Sequence, residues 1–392
     1  MRIGSLFSGI GGLDLAAEAA FSARTIWHCE IDPHAREVLR ARWPDAVLHD
    51  DVRTLTADTA EPIDVLTGGF PCQDLSSAGK RAGLDGARSG LYVEMLRIAA
   101  ELRPEWVVFE NVPPLLRYRS RVESDLERMG YGSVWQVCEA ADVGAPHRRQ
   151  RVFVVARRGM CAHVMLPRPS AQGDLFAPAF VGSERNGQPW ATPTAAQFGG
   201  TAEMHIARKI RAGMTPVVTD LRLQAMAHDT SARWPTPIAN DRKWTGLEPS
   251  WATRSDRLAV AAQKAAGNWP TPLSRDWKDS GHEPSAQARQ SPCLPASVVM
   301  ADNEPSGVLN PTWVELLMGL PPRWTDPACD QLGAHRWPSG RGEPQHPDEP
   351  PRLVPPKSVA KRGARLKALG NAVVWQQARA AIERAKKLAD RC

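Results

Sequence analysis

Residues 2–14 constrain this chain more than any other stretch. Arg2-Ile3-Gly4-Ser5-Leu6 is a short strand-like run that enters the glycine-rich turn Phe7-Ser8-Gly9-Ile10-Gly11-Gly12 and then a helix beginning near Leu13 and Asp14. Strand, glycine turn and helix in that order open a doubly wound α/β sheet, where the turn lies against a nucleotide-type ligand. Glycines let the backbone approach such a ligand closely, and the amides that open the helix favour its negative end. Taken alone, G-x-G-G also fits an ordinary tight turn. The next strand end, Ile26-Trp27-His28-Cys29-Glu30-Ile31-Asp32, adds weight. Its acid Glu30 lies about 20 residues downstream, where this fold sets a carboxylate on ribose hydroxyls. Asp51, in His49-Asp50-Asp51-Val52, ends another short strand and could accept a hydrogen bond from an adenine amino group. Singly, either acid reads equally well as a solvated helix cap. With the glycine turn, the two point to an adenosine cofactor.

A second set of residues carries reactive groups. Residues 68–76 read Gly-Gly-Phe-Pro-Cys-Gln-Asp-Leu-Ser, behind the apolar run Ile63-Asp64-Val65-Leu66. Cys72, directly after Pro71, is held at a strand end on a backbone with little freedom, which is how a nucleophile is presented. A lone cysteine is more often a small buried hydrophobe, so its companions decide. Trp106-Val107-Val108-Phe109 is a buried-strand run that delivers Glu110 and Asn111 at its carboxyl end, where open α/β sheets keep their chemistry. Val143-Gly144-Ala145-Pro146-His147-Arg148-Arg149-Gln150-Arg151 then leads into the strand Val152–Ala156. Arg149 and Arg151 alternate with residues of the opposite face, so they are expected to point the same way.

The ordered series F-S-G-I-G-G, C-E-I-D, D-D-V, G-F-P-C-Q, E-N-V, P-H-R-R-Q-R-V and a late G-N-A-V resembles the bacterial and phage DNA cytosine-5 methyltransferases, across residues 1–157 and 309–385. The resemblance implies an α/β architecture: a Rossmann-like, S-adenosylmethionine-dependent methyltransferase domain with a second, smaller target recognition domain. It implies that Phe7, Gly9, Gly11, Gly12, Glu30, Ile31, Asp51, Val52 and Asn371 surround the cofactor, and that Cys72, Glu110, Arg149 and Arg151 handle the cytosine. His147 departs from the pattern, since many members carry glutamine there.

The chemistry explains why such residues are needed. Carbon 5 of cytosine is too poor a nucleophile to take a methyl group while the ring stays aromatic, so something must add to the ring first. A thiolate adding to carbon 6 gives an enamine with its electron density at carbon 5. Glu110 suits the acid hydrogen-bonded at ring nitrogen 3 and the exocyclic amine. Arg149 or Arg151 can bind the carbonyl oxygen at carbon 2 and help keep Cys72 ionised. The base must leave the stack, at a cost of a few kcal/mol. The glycine-rich stretch Asp74–Gly90 reads as a closing loop that brings Ser76, Lys80 and Arg88 to phosphates or to the vacated stack; an ordinary solvated loop is the alternative.

Composition fits a DNA partner without proving one, because 49 Lys+Arg against 43 Asp+Glu leave a net charge of only +6. Seven cysteines, an odd count without a C-x-x-C pair, argue for a reducing cytoplasm and against a structural zinc site. The longest apolar runs are of strand length, so no membrane span is expected. The expected partners are double-stranded DNA and a restriction endonuclease acting on the same site, with the chain itself a monomer.

After Arg158 the composition turns toward Pro, Trp, Gln and Ser. The expected division is therefore a catalytic domain of residues 1–158 plus 357–392 and a target recognition domain of residues 159–356, with a polar linker near 325–356. Within it Trp234-Pro235-Thr236-Pro237 recurs 35 residues later as Trp269-Pro270-Thr271-Pro272, and Asp241, Lys243, Gly246 and Glu248 recur in register as Asp276, Lys278, Gly281 and Glu283. Each copy reads as a proline-braced loop feeding a helix, the last around Leu294–Ala301. Arg242, Lys243, Arg275 and Lys278 are candidate major-groove contacts; in the other reading the tryptophans pack the loop and the basic residues serve phosphates. Two rivals remain: an RNA methyltransferase of the same fold, since P-C-Q and E-N-V also occur in a tRNA-modifying branch, and a catalytically silent DNA-binding regulator, which would be expected to lose Cys72 or Glu110.

Overall fold

The computed structural model describes residues 1–71, 90–168, 268–278, 281, 293–302, 307–341 and 343–391. Eight strands form one sheet: β1 Arg2–Leu6, β2 Arg24–Cys29, β3 Val47–His49, β4 Val65–Gly68, β5 Trp106–Asn111, β6 Tyr131–Glu139, β7 Gln150–Arg158 and β8 His163–Leu166. Their order across the sheet is β3-β2-β1-β4-β5-β7-β6-β8. The first five pair in parallel, and β7 enters antiparallel between β5 and β6. Both faces are covered, which is why β4 and β5 are buried at every position and read as continuous apolar runs.

Alternation along the strands sorts side chains into two cores. Val107 and Phe109 of β5 join Trp27, Leu66, Tyr92, Met95, Ile98 and Leu126 on one face, against helices α3 (Gly90–Leu102) and α4 (Arg119–Arg128). Trp106 and Val108 point the other way, toward α1 (Gly12–Phe21) and the carboxyl-terminal helix, numbered α8 here (Trp375–Ala389). That helix buries Ala378, Ala381, Ile382, Ala385 and Ala389, a stripe at three- and four-residue spacing whose small side chains allow close approach to Ala16 and Ala17 of α1.

Between α4 and α8 lie α5 (Leu294–Asp302), α6 (Pro311–Leu317) and α7 (Arg362–Asn371), while α2 (Pro33–Arg42) follows β2. Asp32 caps α2, accepting from the amides of His34 and Ala35 at 3.0 and 3.2 Å, with Pro33 at the first turn. A short antiparallel pair joins β9 (Val308–Leu309) to β10 (Leu353–Val354).

The chain divides into two compact units, one of residues 1–177, 269–287 and 293–392, the other of residues 178–268 and 288–292. Of residues 159–356, expected as a second domain, the sheet unit takes 159–177, 269–287 and 293–356. The cause is burial of large aromatics. Trp269, Trp313 and Trp324 form a third core with Ile10, Leu317, Leu366 and Leu369, and the indole of Trp324 donates to the carbonyl of Ile10 at 2.9 Å. The stretch 325–356, expected as a linker, is likewise pinned. The Arg42 guanidinium donates to the carbonyls of Trp324, Asp326 and Cys329, and buried Arg352 pairs with Asp302 at 2.6 Å. Side-chain cations satisfy this irregular backbone, which a polar composition does not reveal. Among the described residues, no helix is long and apolar enough to cross a membrane.

Candidate active site

The strand order reverses between β1 and β4, so the turn after β1 and the chain leaving β4 emerge side by side at the carboxyl ends of the strands. Phe7 takes a left-handed conformation there, with φ of 54°, and the turn is tied by Ser8 Oγ donating to the Ser5 carbonyl at 3.2 Å and by the Gly11 amide donating to the Ser8 carbonyl at 2.9 Å. A non-glycine residue with positive φ costs about 1 kcal/mol and clusters at functional sites.

The three turn glycines have different work. A Cβ on Gly9 would meet nothing within 4 Å, so this residue borders open space, whereas one on Gly11 would stand 2.2 Å from the Trp43 ring and one on Gly12 2.6 Å from the Val373 carbonyl. Gly9 leaves room for a ligand; Gly11 and Gly12 let α1 pack against Trp43 and against the strand-like segment after α7. Phe7, Gly9 and Gly12 line one recess together with Gly69, Glu110 and Asn371.

Glu30, half-buried after β2, accepts from the Gly9 amide at 2.7 Å and the Asp32 amide at 2.8 Å. Burial pushes its carboxyl above the ordinary value despite those two donors. Ile31 beside it is 66% exposed, an apolar side chain free to cover a flat ring. Asp51 is already engaged: Arg53 donates to its two oxygens at 3.0 and 2.7 Å and holds the carboxyl below the usual range. An adenine amino group would therefore share Asp51 with Arg53. The Val52 side chain is 4% exposed within the core, and its carbonyl accepts from Arg97 at 2.9 Å. Asn371, at the end of α7, is exposed to the recess.

Glu110, which lines the recess, accepts from Arg151 Nε at 2.6 Å through Oε1. β5 presents the acid and β7 the guanidinium, and antiparallel pairing of the two strands brings them together. Asn111, quoted in the E-N-V run but given no role from sequence, donates to the Phe70 carbonyl at 3.0 Å. It thereby fixes the chain that runs into Pro71 next to Glu110, and a Cβ on Gly69 would stand 3.5 Å from Glu110 Oε2.

Arg149 does not join Arg151, contrary to the alternation argument. It is 3% exposed, and its guanidinium donates to the carbonyls of Pro272, Gly370 and Ala372 at 3.1, 3.1 and 2.6 Å. The reason lies in position, for Arg149 precedes β7 and strict strand alternation does not govern it. His147 is fully buried, bonded through Nε2 to the Leu317 carbonyl at 2.8 Å, and burial lowers its pKa to about 3, so it stays neutral near neutrality.

Cys72, Ser76, Lys80, Arg88, Arg242 and Lys243 lie outside the described residues. Among described cysteines, burial pushes the Cys29 and Cys138 thiols up to about 12, which leaves them unreactive. Arg275 and Lys278 are exposed, with Lys278 Nζ 5.3 Å from the centre of the Trp277 ring. Trp269 of the same repeat copy is buried, donating to the Ser339 carbonyl at 2.8 Å, as the packing reading expects. Among the described residues no cluster of His, Cys, Asp or Glu could hold a metal.

Comparison with known proteins bears on this site. The family described as C-5 cytosine-specific DNA methylase matches residues 1–172. A type II methyltransferase of Bacillus subtilis (strain 168) is 37% identical over 165 residues, 40% of this chain and 42% of that one. Another, from Bacillus sp. (strain RFL6), is 33% identical over 167 residues, 41% of this chain and 53% of its own. A third, from Haemophilus parahaemolyticus, is 35% identical over 179 residues, 42% and 48% respectively. The chain thus spans about half the length of the curated relatives it matches.

Proposed function

We propose that the chain, whose residues 1–172 match the family described as C-5 cytosine-specific DNA methylase, methylates carbon 5 of a cytosine in duplex DNA, with S-adenosylmethionine as donor. One observation carries the reading: Glu110, paired with Arg151 at 2.6 Å, lines the same recess as Gly9 and Asn371, next to the peptide that leads into Cys72.

The residues present fit the cofactor. Gly9 borders open space, the Glu30 carboxylate, fixed by the Gly9 and Asp32 amides, is the proposed acceptor for ribose hydroxyls, Ile31 offers an apolar cover, and Asp51 offers an acceptor shared with Arg53. When bound, the cofactor supplies an electrophilic methyl carbon. The chain's own groups prepare the ring. The Cys72 thiolate forms a bond to carbon 6, the electron pair of the 5,6 double bond moves toward the ring's amidine end, and Glu110 delivers a proton to nitrogen 3. Arg151 orients Glu110 and can bind the carbonyl oxygen at carbon 2 as charge develops. As carbon 5 takes the methyl group, nitrogen 3 returns its proton to Glu110, and loss of the carbon 5 proton to water then re-forms the 5,6 double bond and expels the Cys72 sulfur as thiolate.

Arg275 and Lys278 are the proposed duplex contacts in the sheet unit; Ser76, Lys80, Arg88, Arg242 and Lys243 keep the DNA roles proposed from sequence. The relatives named type II methyltransferases support a restriction endonuclease for the same site as partner, and the cysteine usage supports a cytoplasmic location.

The test is transfer of labelled methyl to duplex DNA and to tRNA, followed by bisulfite sequencing of DNA from cells expressing the chain. Label on duplex DNA at one sequence context supports the reading; label on tRNA alone, or on neither, overturns it. Cofactor affinity should also depend on pH. A carboxylate must be ionised to accept from two hydroxyls, and the Glu30 carboxyl lies above its ordinary value, so affinity weakens as pH falls at a higher pH than an unperturbed glutamate would give. Calorimetric titration of S-adenosylmethionine at successive pH values checks this, and Glu30→Gln should flatten the profile.

A further inference from the structure

Resting on that reading, we infer that Arg149 is a positioning residue for the cofactor pocket, not a ligand of the cytosine, and that it fastens the second W-P-T-P copy to the peptide carrying Asn371. Three segments far apart in sequence meet at its guanidinium. Its two terminal nitrogens reach Pro272 from the repeat, and Gly370 and Ala372 on either side of Asn371, all within 3.1 Å. Its own amide donates to Thr271 Oγ1 at 3.3 Å, and its carbonyl accepts from Gln377 Nε2 of α8 at 3.0 Å.

The contact is close along its whole length. A Cβ on Gly370 would stand 2.1 Å from the Ser274 amide nitrogen, so the repeat's backbone lies directly on α7, and a Cβ on Gly363, about two turns earlier on the same face, would meet the Trp277 ring at 3.4 Å. The peptide 370–372 ends α7 and leaves its last carbonyls without helical partners. In a buried setting such groups need donors, and a guanidinium supplies several in one plane. Ala372 and Val373 in turn form the wall against which Gly12 is packed, the Val373 carbonyl being 2.6 Å from a Cβ placed there. Losing Arg149 would leave three buried carbonyls unmet and let both the Asn371 side and the Gly12 side of the recess shift. Arg151, two residues on, still pairs with Glu110, so the ring-activating pair would persist.

A residue that shapes the cofactor pocket and one that stabilises charge on the ring differ in what their removal changes. Arg149→Lys and Arg149→Ala are compared with the unaltered protein by calorimetric titration of S-adenosylmethionine without DNA, and by single-turnover methyl transfer to duplex at saturating cofactor. The lysine variant keeps one cationic donor and guards against failure to fold. Cofactor dissociation constants raised about tenfold or more, with the saturated single-turnover rate within about threefold, are expected. Unchanged cofactor affinity, or a saturated rate reduced more than about tenfold in the lysine variant, overturns the assignment. If the unaltered protein methylates no duplex, the functional reading fails, while the cofactor titration still decides the role of Arg149.

Discussion

Cys72→Ser should lose methyl transfer by about 10⁴-fold or more while duplex and cofactor affinities stay within about threefold. The argument is one of electrons. A hydroxyl is far less acidic and less polarisable than a thiol, so almost no alkoxide forms near neutrality and the ring is not converted to a carbon 5 nucleophile. Cys29 and Cys138 offer no substitute, being buried with thiols pushed up to about 12. Binding should survive because the groups proposed to hold cofactor, Glu30, Ile31, Asp51 and Asn371, are separate residues. Single-turnover rates and titrations on the same preparations read both quantities.

Glu110→Gln should lower the saturated rate by about 10²–10⁴-fold. Glutamine keeps the shape but has no proton to give to nitrogen 3 as the sulfur adds, so negative charge stays on the ring. It also alters the carboxyl group that Arg151 holds at 2.6 Å, which frees the guanidinium to change direction. Cofactor affinity should change little, since Gly9 and Glu30 bond to one another independently of Glu110. An equal loss in the Glu110→Gln and Arg151→Ala variants and in their combination would mean that the two act as one unit.

Much of the sheet could be read in the chain because its signals are local. Trp106–Asn111 is an unbroken apolar run ending in an acid, and a strand covered on both faces produces that pattern. The glycine turn, Glu30 and Glu110 were legible for the same reason: each needs a residue type at a strand end. What stayed hidden depends on contacts across the fold. Nothing near Trp43 signals that its ring fills the space left by Gly11, or near Asn111 that its amide holds Phe70. Arg149 and Arg151 look alike in sequence, yet one meets a carboxylate and the other three carbonyls contributed by residues more than a hundred positions away. The second W-P-T-P copy reads as part of a separate domain by composition, and only the burial of Trp269 against Trp313, with ring centres 5.3 Å apart, reveals that it belongs to the sheet unit.

The central claim is a transient bond between the Cys72 sulfur and carbon 6 of an unstacked cytosine. It is tested most directly with a duplex carrying 5-fluorocytosine at the methylated position, because fluorine at carbon 5 cannot leave as a proton does and the adduct cannot break down. Incubation with S-adenosylmethionine, then mass analysis of the denatured protein, should give a protein–DNA species whose digest places the link on Cys72 and which the serine variant does not form. A link on any other residue, or methylation of ordinary duplex by a protein that never forms the adduct, would contradict the mechanism.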